Sequence, residues 1–194
     1  MKPKFLFVIF LACLVAGAIS YRSLSDVAPE KDIKASYLEG GGFTLQDASG
    51  DRMLSEFQGR PVLLYFGYTH CPDVCPLGLT VIRDALKEIP DYAELLIPLF
   101  VTLDPARDTA AHLKEYLTFF DTSFIGLTGS LEQLKDLTSR YGTYFMNGKV
   151  DAQGNYTVDH TAYFYLINKS GELVRVLDHN TTSQALASEL KKLL

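Results

Sequence analysis

Apolar residues arrive along this chain in short unbroken runs, separated by stretches in which they recur every three or four positions; such alternation marks strands and helices that share a sheet. Val62-Leu63-Leu64-Tyr65-Phe66 is β-prone and nearly continuous, which suits a strand covered on both faces, with Gly67 through Cys71 as its exit loop. After Pro76, the residues Leu79, Ile82, Leu86 and Ile89 recur at helical spacing. A proline in the first helical turn costs little, because that N–H has no intrahelical partner. Leu95 to Leu103 predicts a second buried strand ended by Asp104-Pro105, and Asp108-Thr109 predicts the cap of a helix running through about Phe119. Phe124 to Leu127 reads as a short strand, and Ser130 opens a helix with Leu131, Leu134 and Leu137 on one face. Thr161 to Ile167 and Glu172 to Leu177 flank the turn Asn168-Lys169-Ser170-Gly171. An amphipathic helix from about Thr182, with Ala185, Leu186, Leu190 and Leu193 facing inward, closes the chain. Ahead of all these, Phe43-Thr44-Leu45, the turn Ala48-Ser49-Gly50-Asp51 and Arg52-Met53-Leu54 predict a short hairpin.

That order predicts an α/β domain of the thioredoxin-like sandwich class with an added N-terminal hairpin, and it contains no internal repeat. The first residues follow another pattern. Lys2 and Lys4 precede an uncharged apolar run from Phe5 to Ile19, long for a signal-peptide core and short of the roughly 20 residues of a full span. The expectation is one N-terminal membrane anchor helix over residues 1–21, a polar linker over 22–36, and the thioredoxin-like domain over 37–194. Basic residues before the run, with acids only from Asp26 onward, put the N-terminus inside and the domain outside. The absence of a long Arg-rich transit segment favours a bacterial cytoplasmic membrane, crossed once, with the domain on the periplasmic side. Ala16-Gly17-Ala18 also offers a cleavage site. Lipidation at Cys13 is a weaker reading, because Phe10 and Leu11 fit a lipoprotein box poorly; Cys13 reads as an apolar residue of the anchor.

At 194 residues, 47% hydrophobic and 21% charged, the chain has room for one good core. Its net charge of -5, without basic clusters, argues against a nucleic-acid partner.

The chemistry concentrates in Cys71-Pro72-Asp73-Val74-Cys75-Pro76, where the strand gives way to the helix, with His160 far downstream. The unpaired N–H groups and dipole of a helix N-terminus stabilise thiolates there. In an exported domain two cysteines often form a structural disulfide, but so small a loop constrains the unfolded chain little. Exchange chemistry or metal capture fits the placement better. Two thiolates select soft Cu(I), and an added imidazole lets the same site hold Cu(II). Zinc with a water is chemically reasonable at the same three residues.

Three motifs in order, Phe66-Gly67-Tyr68-Thr69-His70-Cys71-Pro72-Asp73-Val74-Cys75-Pro76, Leu103-Asp104-Pro105-Ala106-Arg107-Asp108-Thr109 and Val158-Asp159-His160-Thr161, closely resemble the Sco/SenC family of membrane-anchored copper proteins. The resemblance runs from about Gly42 to the C-terminus. It implies a thioredoxin fold, one copper ion per chain, Cu(I) or Cu(II), held by Cys71, Cys75 and His160, and a role in maturing the binuclear copper centre of cytochrome c oxidase. The implied partners are the copper-bearing subunit of the oxidase and an upstream copper donor. Leu103 and Ala106 depart from the family's more usual Val-Asp-Pro-Glu-Arg-Asp pattern at positions that are not ligands.

A thiol–disulfide oxidoreductase that reduces the cysteines of that copper site, through Cys71 and Cys75 as redox thiols with Cys71 attacking, is the alternative reading. The spacing is wider than C-x-x-C, and no proline follows Pro105 to supply the cis-proline of typical thioredoxins. A peroxidase of the peroxiredoxin type fits poorly, since Thr69 stands two residues before Cys71 and Tyr65 replaces the expected proline. Elsewhere the simpler readings hold: His70 as a solvated neighbour of Cys71, His112 as a helix residue, His179 as a turn residue, and Asp73 as a helix cap. Asp104 and Asp108 read as strand terminator and helix cap, and Tyr141, Tyr144, Phe145, Tyr163, Phe164 and Tyr165 as mostly core aromatics.

Overall fold

A computed structural model describes Ala35 and residues 38–194. The expected anchor and most of the linker lie outside the described residues; among the described residues no helix is long and apolar enough to cross a membrane.

The centre is a five-stranded sheet in the order β5-β4-β3-β8-β9, formed by β3 (Val62–Gly67), β4 (Ile97–Thr102), β5 (Ile125–Leu127), β8 (Tyr163–Ile167) and β9 (Leu173–Asp178). β3 pairs parallel with β4 and antiparallel with β8; β5 continues the parallel half and β9 the antiparallel half. Every residue of β3 and β4 is buried, as continuous apolar runs in central strands require. Pro98 sits inside β4 without breaking a ladder. Ile97 N–H and Leu103 N–H bond toward the β3 side, so the even positions face β5, and β5 begins pairing only opposite Leu99. The missing proline N–H therefore falls where no strand waits for it.

Alternation along the strands makes two cores. Leu63, Tyr65, Phe100, Phe164 and Leu177 meet α1 (Val74–Lys87), α2 (Ala110–Thr118) and α4 (Ser183–Lys191). Leu64, Phe66, Leu99, Val101 and Tyr165 meet α3 (Leu131–Arg140) and the hairpin of β1 (Thr44–Asp47) and β2 (Gly50–Met53). The helices start where expected, because Thr109, Ser130 and Thr182 each accept a backbone N–H from the residue three positions on. A sheet with helices on one face and a hairpin plus helix on the other is the predicted mixed α/β sandwich.

One element escapes the apolar pattern. β6 (Phe145–Asn147) and β7 (Val158–His160) form a separate antiparallel ribbon with Phe145 opposite His160. His160 thus ends a short strand of its own, ahead of the strand predicted from Thr161. Tyr144, just ahead of this ribbon, is 58% exposed and stands apart from the other aromatics of its group, which are in or packed against the cores.

Candidate metal centre

Two glycines let β3 and α1 approach closely enough to form the site. A Cβ on Gly78 would lie 2.2 Å from Tyr65 Oη, so the absence of one lets Tyr65 cross the helix and donate its hydroxyl to Val74 C=O at 3.2 Å. A Cβ on Gly67 would lie 2.9 Å from Cys75 Sγ. Cys75 is consequently packed flat against the strand end and fully buried, while Cys71 on the preceding loop keeps 9% of its surface exposed.

Both cysteines are free thiols. Asp73 occupies the N-cap position of α1 but makes no side-chain capping bond, contrary to its expected role. Cys71 takes that role instead: Cys75 N–H, one of the otherwise unpartnered donors of the first turn, bonds to Cys71 Sγ at 3.4 Å. The Cys75 side chain and the backbone N–H groups of Asp73 and Cys75 hold the Cys71 thiol down to about 3 against the opposing effect of burial. Cys75 moves the other way, pushed up by the Cys71 sulfur and by burial. The two shifts oppose one another because each sulfur disfavours a charge on the other, and both directions favour a single charge on the less buried Cys71.

His160 completes the group. Its Nδ1 lies 3.1 Å from Thr161 C=O, and a carbonyl only accepts, so Nδ1 carries the proton. Nε2 therefore presents its lone pair 3.2 Å from Cys75 Sγ. Tyr68 packs edge-on against the imidazole, its ring centroid 5.8 Å away. The two sulfurs and a His160 nitrogen all lie within 4.8 Å of one another, the only metal-capable group of three His, Cys, Asp or Glu side chains among the described residues. At metal–sulfur and metal–nitrogen bonds of about 2.3 and 2.0 Å, ligand atoms sit roughly 4 Å apart. The set is soft, arranged on one side, and close to binding geometry.

Two buried carboxylates hold it in place. Asp104 is 2% exposed, pairs with Arg107, and accepts the hydroxyl of Tyr156 at 2.7 Å. The Arg107 guanidinium lies 3.7 Å over the Tyr156 ring and 5.9 Å from that of Tyr68. This clamp ties the segment leading to His160 to the end of β4. Asp108 accepts Thr69 N–H at 3.0 Å, the Thr69 hydroxyl at 2.5 Å and the Thr102 hydroxyl at 2.6 Å. It fixes the cysteine loop, whereas Thr109 caps the helix. Sequence reasoning underrated both acids. The signal available was a carboxylate on each side of Arg107 in a motif with no solvated run around it.

The sequence profile of SCO1/SenC matches residues 31–194. Protein sco1 of Schizosaccharomyces pombe is 39% identical over 152 residues, 76% of this chain and 58% of its own length. The mitochondrial protein SCO2 of Saccharomyces cerevisiae is 36% identical over 194 residues, 95% of this chain and 64% of its own length. The chain thus spans about six tenths of these curated relatives. The structure of Bradyrhizobium japonicum ScoI with copper bound is 36% identical, with a TM-score of 0.73 over 80% of this chain and 99% of that one.

Proposed function

The chain belongs to the SCO1/SenC family, and from that premise we propose that it is a copper chaperone that carries one Cu(I) or Cu(II) ion on Cys71, Cys75 and His160 and delivers it to the binuclear copper centre of cytochrome c oxidase. The observation that carries the reading is the convergence of two sulfurs with an imidazole whose open nitrogen already faces them. Soft thiolates favour copper over oxygen-seeking ions, and three ligands leave the cargo open to exchange with a partner's thiolates. Cys71 offers its thiolate first; ligation by Cys75 releases its proton to solvent. His160 needs no proton shift to bind, because Thr161 C=O fixes the reactive tautomer.

The partners in this reading are the copper-bearing oxidase subunit and an upstream copper donor. The chain works from a single N-terminal anchor in a bacterial cytoplasmic membrane, its domain on the periplasmic side. Residues 1–21 supply the anchor and 22–36 the tether.

The unequal thiols favour one second reading. A Cys71 thiolate that keeps a small exposed edge, beside a fully buried Cys75 thiol, can reduce a partner disulfide. Cys71 Sγ attacks one partner sulfur, and the other leaves as a thiolate. Cys75 Sγ then displaces the mixed disulfide, leaving Cys71–Cys75 oxidised and the partner as a dithiol. His160 separates the two roles. In cells lacking this protein, wild type restores the absorption of the oxidase binuclear copper centre; His160→Ala fails to do so under the chaperone reading and succeeds under the reductase reading.

A further inference from the structure

Two acids and one arginine lie buried or nearly so beside the centre, and the arginine is committed to one of the acids. Asp104 and Asp108 are 2% and 0% exposed. Arg107 Nε pairs with Asp104, and its guanidinium stacks over Tyr156. Among the described residues the basic group within 4.0 Å of Asp108 is His70, whose Nδ1 lies 3.9 Å from Oδ1 on a side chain that is 48% exposed. Asp108 is held by neutral donors instead. Thr69 N–H at 3.0 Å and the Thr102 hydroxyl at 2.6 Å reach Oδ2, and the Thr69 hydroxyl at 2.5 Å reaches Oδ1. Three donors on two oxygens form the acceptor pattern of an ionised carboxylate. The Asp104–Arg107 pair is neutral as a whole, so one buried negative charge remains.

The sheet brings that charge close to the sulfurs. Gly67 and Thr102 are register partners of the parallel pair β3–β4, so they stand about 4.8 Å apart and their side-chain directions share a face. A Cβ on Gly67 would meet Cys75 Sγ at 2.9 Å, and Thr102 donates its hydroxyl to Asp108. Sulfur and carboxylate are thus separated by about one strand spacing and one hydrogen bond, roughly 7 Å. Together with the Cys71 sulfur and burial, the Asp108 charge pushes the Cys75 thiol up.

The two forms of the cargo differ in net charge. With both thiols ionised and the imidazole neutral, the centre carries one negative charge around Cu(I) and none around Cu(II). A fixed negative charge nearby opposes the first form and not the second. At roughly 7 Å and an effective dielectric of about 20, that opposition is worth between about one and two powers of ten in relative affinity.

We propose that Asp108 sets the oxidation-state preference of the copper centre: its buried charge offsets the bias of two soft thiolates toward Cu(I), so that the same three ligands also hold Cu(II). The proposal rests on the reading that copper is the cargo of Cys71, Cys75 and His160. Asp108 is not a ligand; it acts on the metal through its charge.

Paired competition titrations of the full chain test this, one with Cu(I) against a Cu(I) chelator without oxygen, the other with Cu(II) against a Cu(II) chelator. Both are run at pH 8, where imidazoles in water are neutral. In Asp108→Asn the ratio of Cu(I) to Cu(II) affinity rises about ten-fold or more. Each factor of ten corresponds to about 59 mV for a one-electron couple. Asp108→Ser, uncharged and smaller, shows the same rise and decides the matter if Asp108→Asn does not fold. Thr102→Val removes a donor but keeps the charge, so its ratio stays within about two-fold of wild type. A merely structural role for Asp108 would weaken both affinities together. An unmoved ratio in the Asp108 variants therefore overturns the proposal, as does a Thr102→Val ratio that moves as far as theirs. A wild-type chain that takes up neither ion refutes the cargo reading, and the proposal falls with it.

Discussion

Replacing Arg107 with alanine probes the scaffold of the centre without touching a ligand. The substitution leaves Asp104, 2% exposed, as a buried carboxylate with only the Tyr156 hydroxyl and the protein backbone around it. Breaking one side of a buried ion pair costs about 3–5 kcal/mol, and the lost stacking over Tyr156 adds about 0.5–2 kcal/mol. Against this, Arg107 Nη2 is buried with no hydrogen-bond partner, a cost the variant relieves, at about 1–3 kcal/mol. The net expectation is about 3 kcal/mol of lost stability, a large share of the roughly 5–15 kcal/mol that holds a domain folded. Urea unfolding followed by far-ultraviolet circular dichroism measures it. The double variant Asp104→Asn/Arg107→Ala has no orphaned charge and recovers more than half of the loss. Copper affinity in Arg107→Ala falls about 10-fold or more, because the segment leading to His160 loses its tie to β4. A loss below about 1 kcal/mol, or no recovery in the double variant, would refute the argument that this pair fixes the His160 segment.

Three further outcomes are expected. The thiolate absorbance of the metal-free, reduced chain near neutral pH corresponds to Cys71 alone and disappears only on acidification toward about 3. Because the folded Cys71 sits below its unfolded value of about 8.5, its contribution to stability is full above that value and is lost as pH falls through the folded one; absorbance that first rises above about pH 8 contradicts this. Gly67→Ala drives a methyl to within 2.8 Å of Phe100 and 2.9 Å of Cys75 Sγ, lowering stability by about 1–3 kcal/mol and weakening copper binding; an unaltered melting temperature would show that the strand end gives way freely. Asp108→Asn turns an acceptor of three hydrogen bonds into a group that must present N–H to a donor, so the chain unfolds at lower urea by about 1–3 kcal/mol, and equal stability would remove Asp108 as the anchor of the cysteine loop.

The strands and helices around the site were legible because their residues obey simple periodicities: the buried run of β3, the 3-4 spacing of Leu79, Ile82 and Leu86, and the Ser130 and Thr182 caps. The cysteine pair was legible from its place at a strand-to-helix junction. His160 was tied to it by the family resemblance, since no local pattern pairs residues 85 apart. What stayed hidden has a common cause. The β6–β7 ribbon consists of two three-residue strands around a polar loop, too short to show a period of two. The ties from Asp104 to Tyr156 and from Asp108 to Thr69 span 52 and 39 residues, so each acid looked locally like a terminator or a cap. Asp73 illustrates the reverse error: a favourable capping residue stands at the N-cap, yet the thiolate of Cys71 has taken its bond.

The central claim is that Cys71, Cys75 and His160 together hold one copper. X-ray absorption of the Cu(I)-loaded chain tests it most directly, with metal content measured on the same sample. The account predicts one copper per chain with two sulfur neighbours and one nitrogen neighbour, and His160→Ala lacking that nitrogen while keeping both sulfurs. A nitrogen shell that survives His160→Ala, or a copper without two sulfurs, would contradict it.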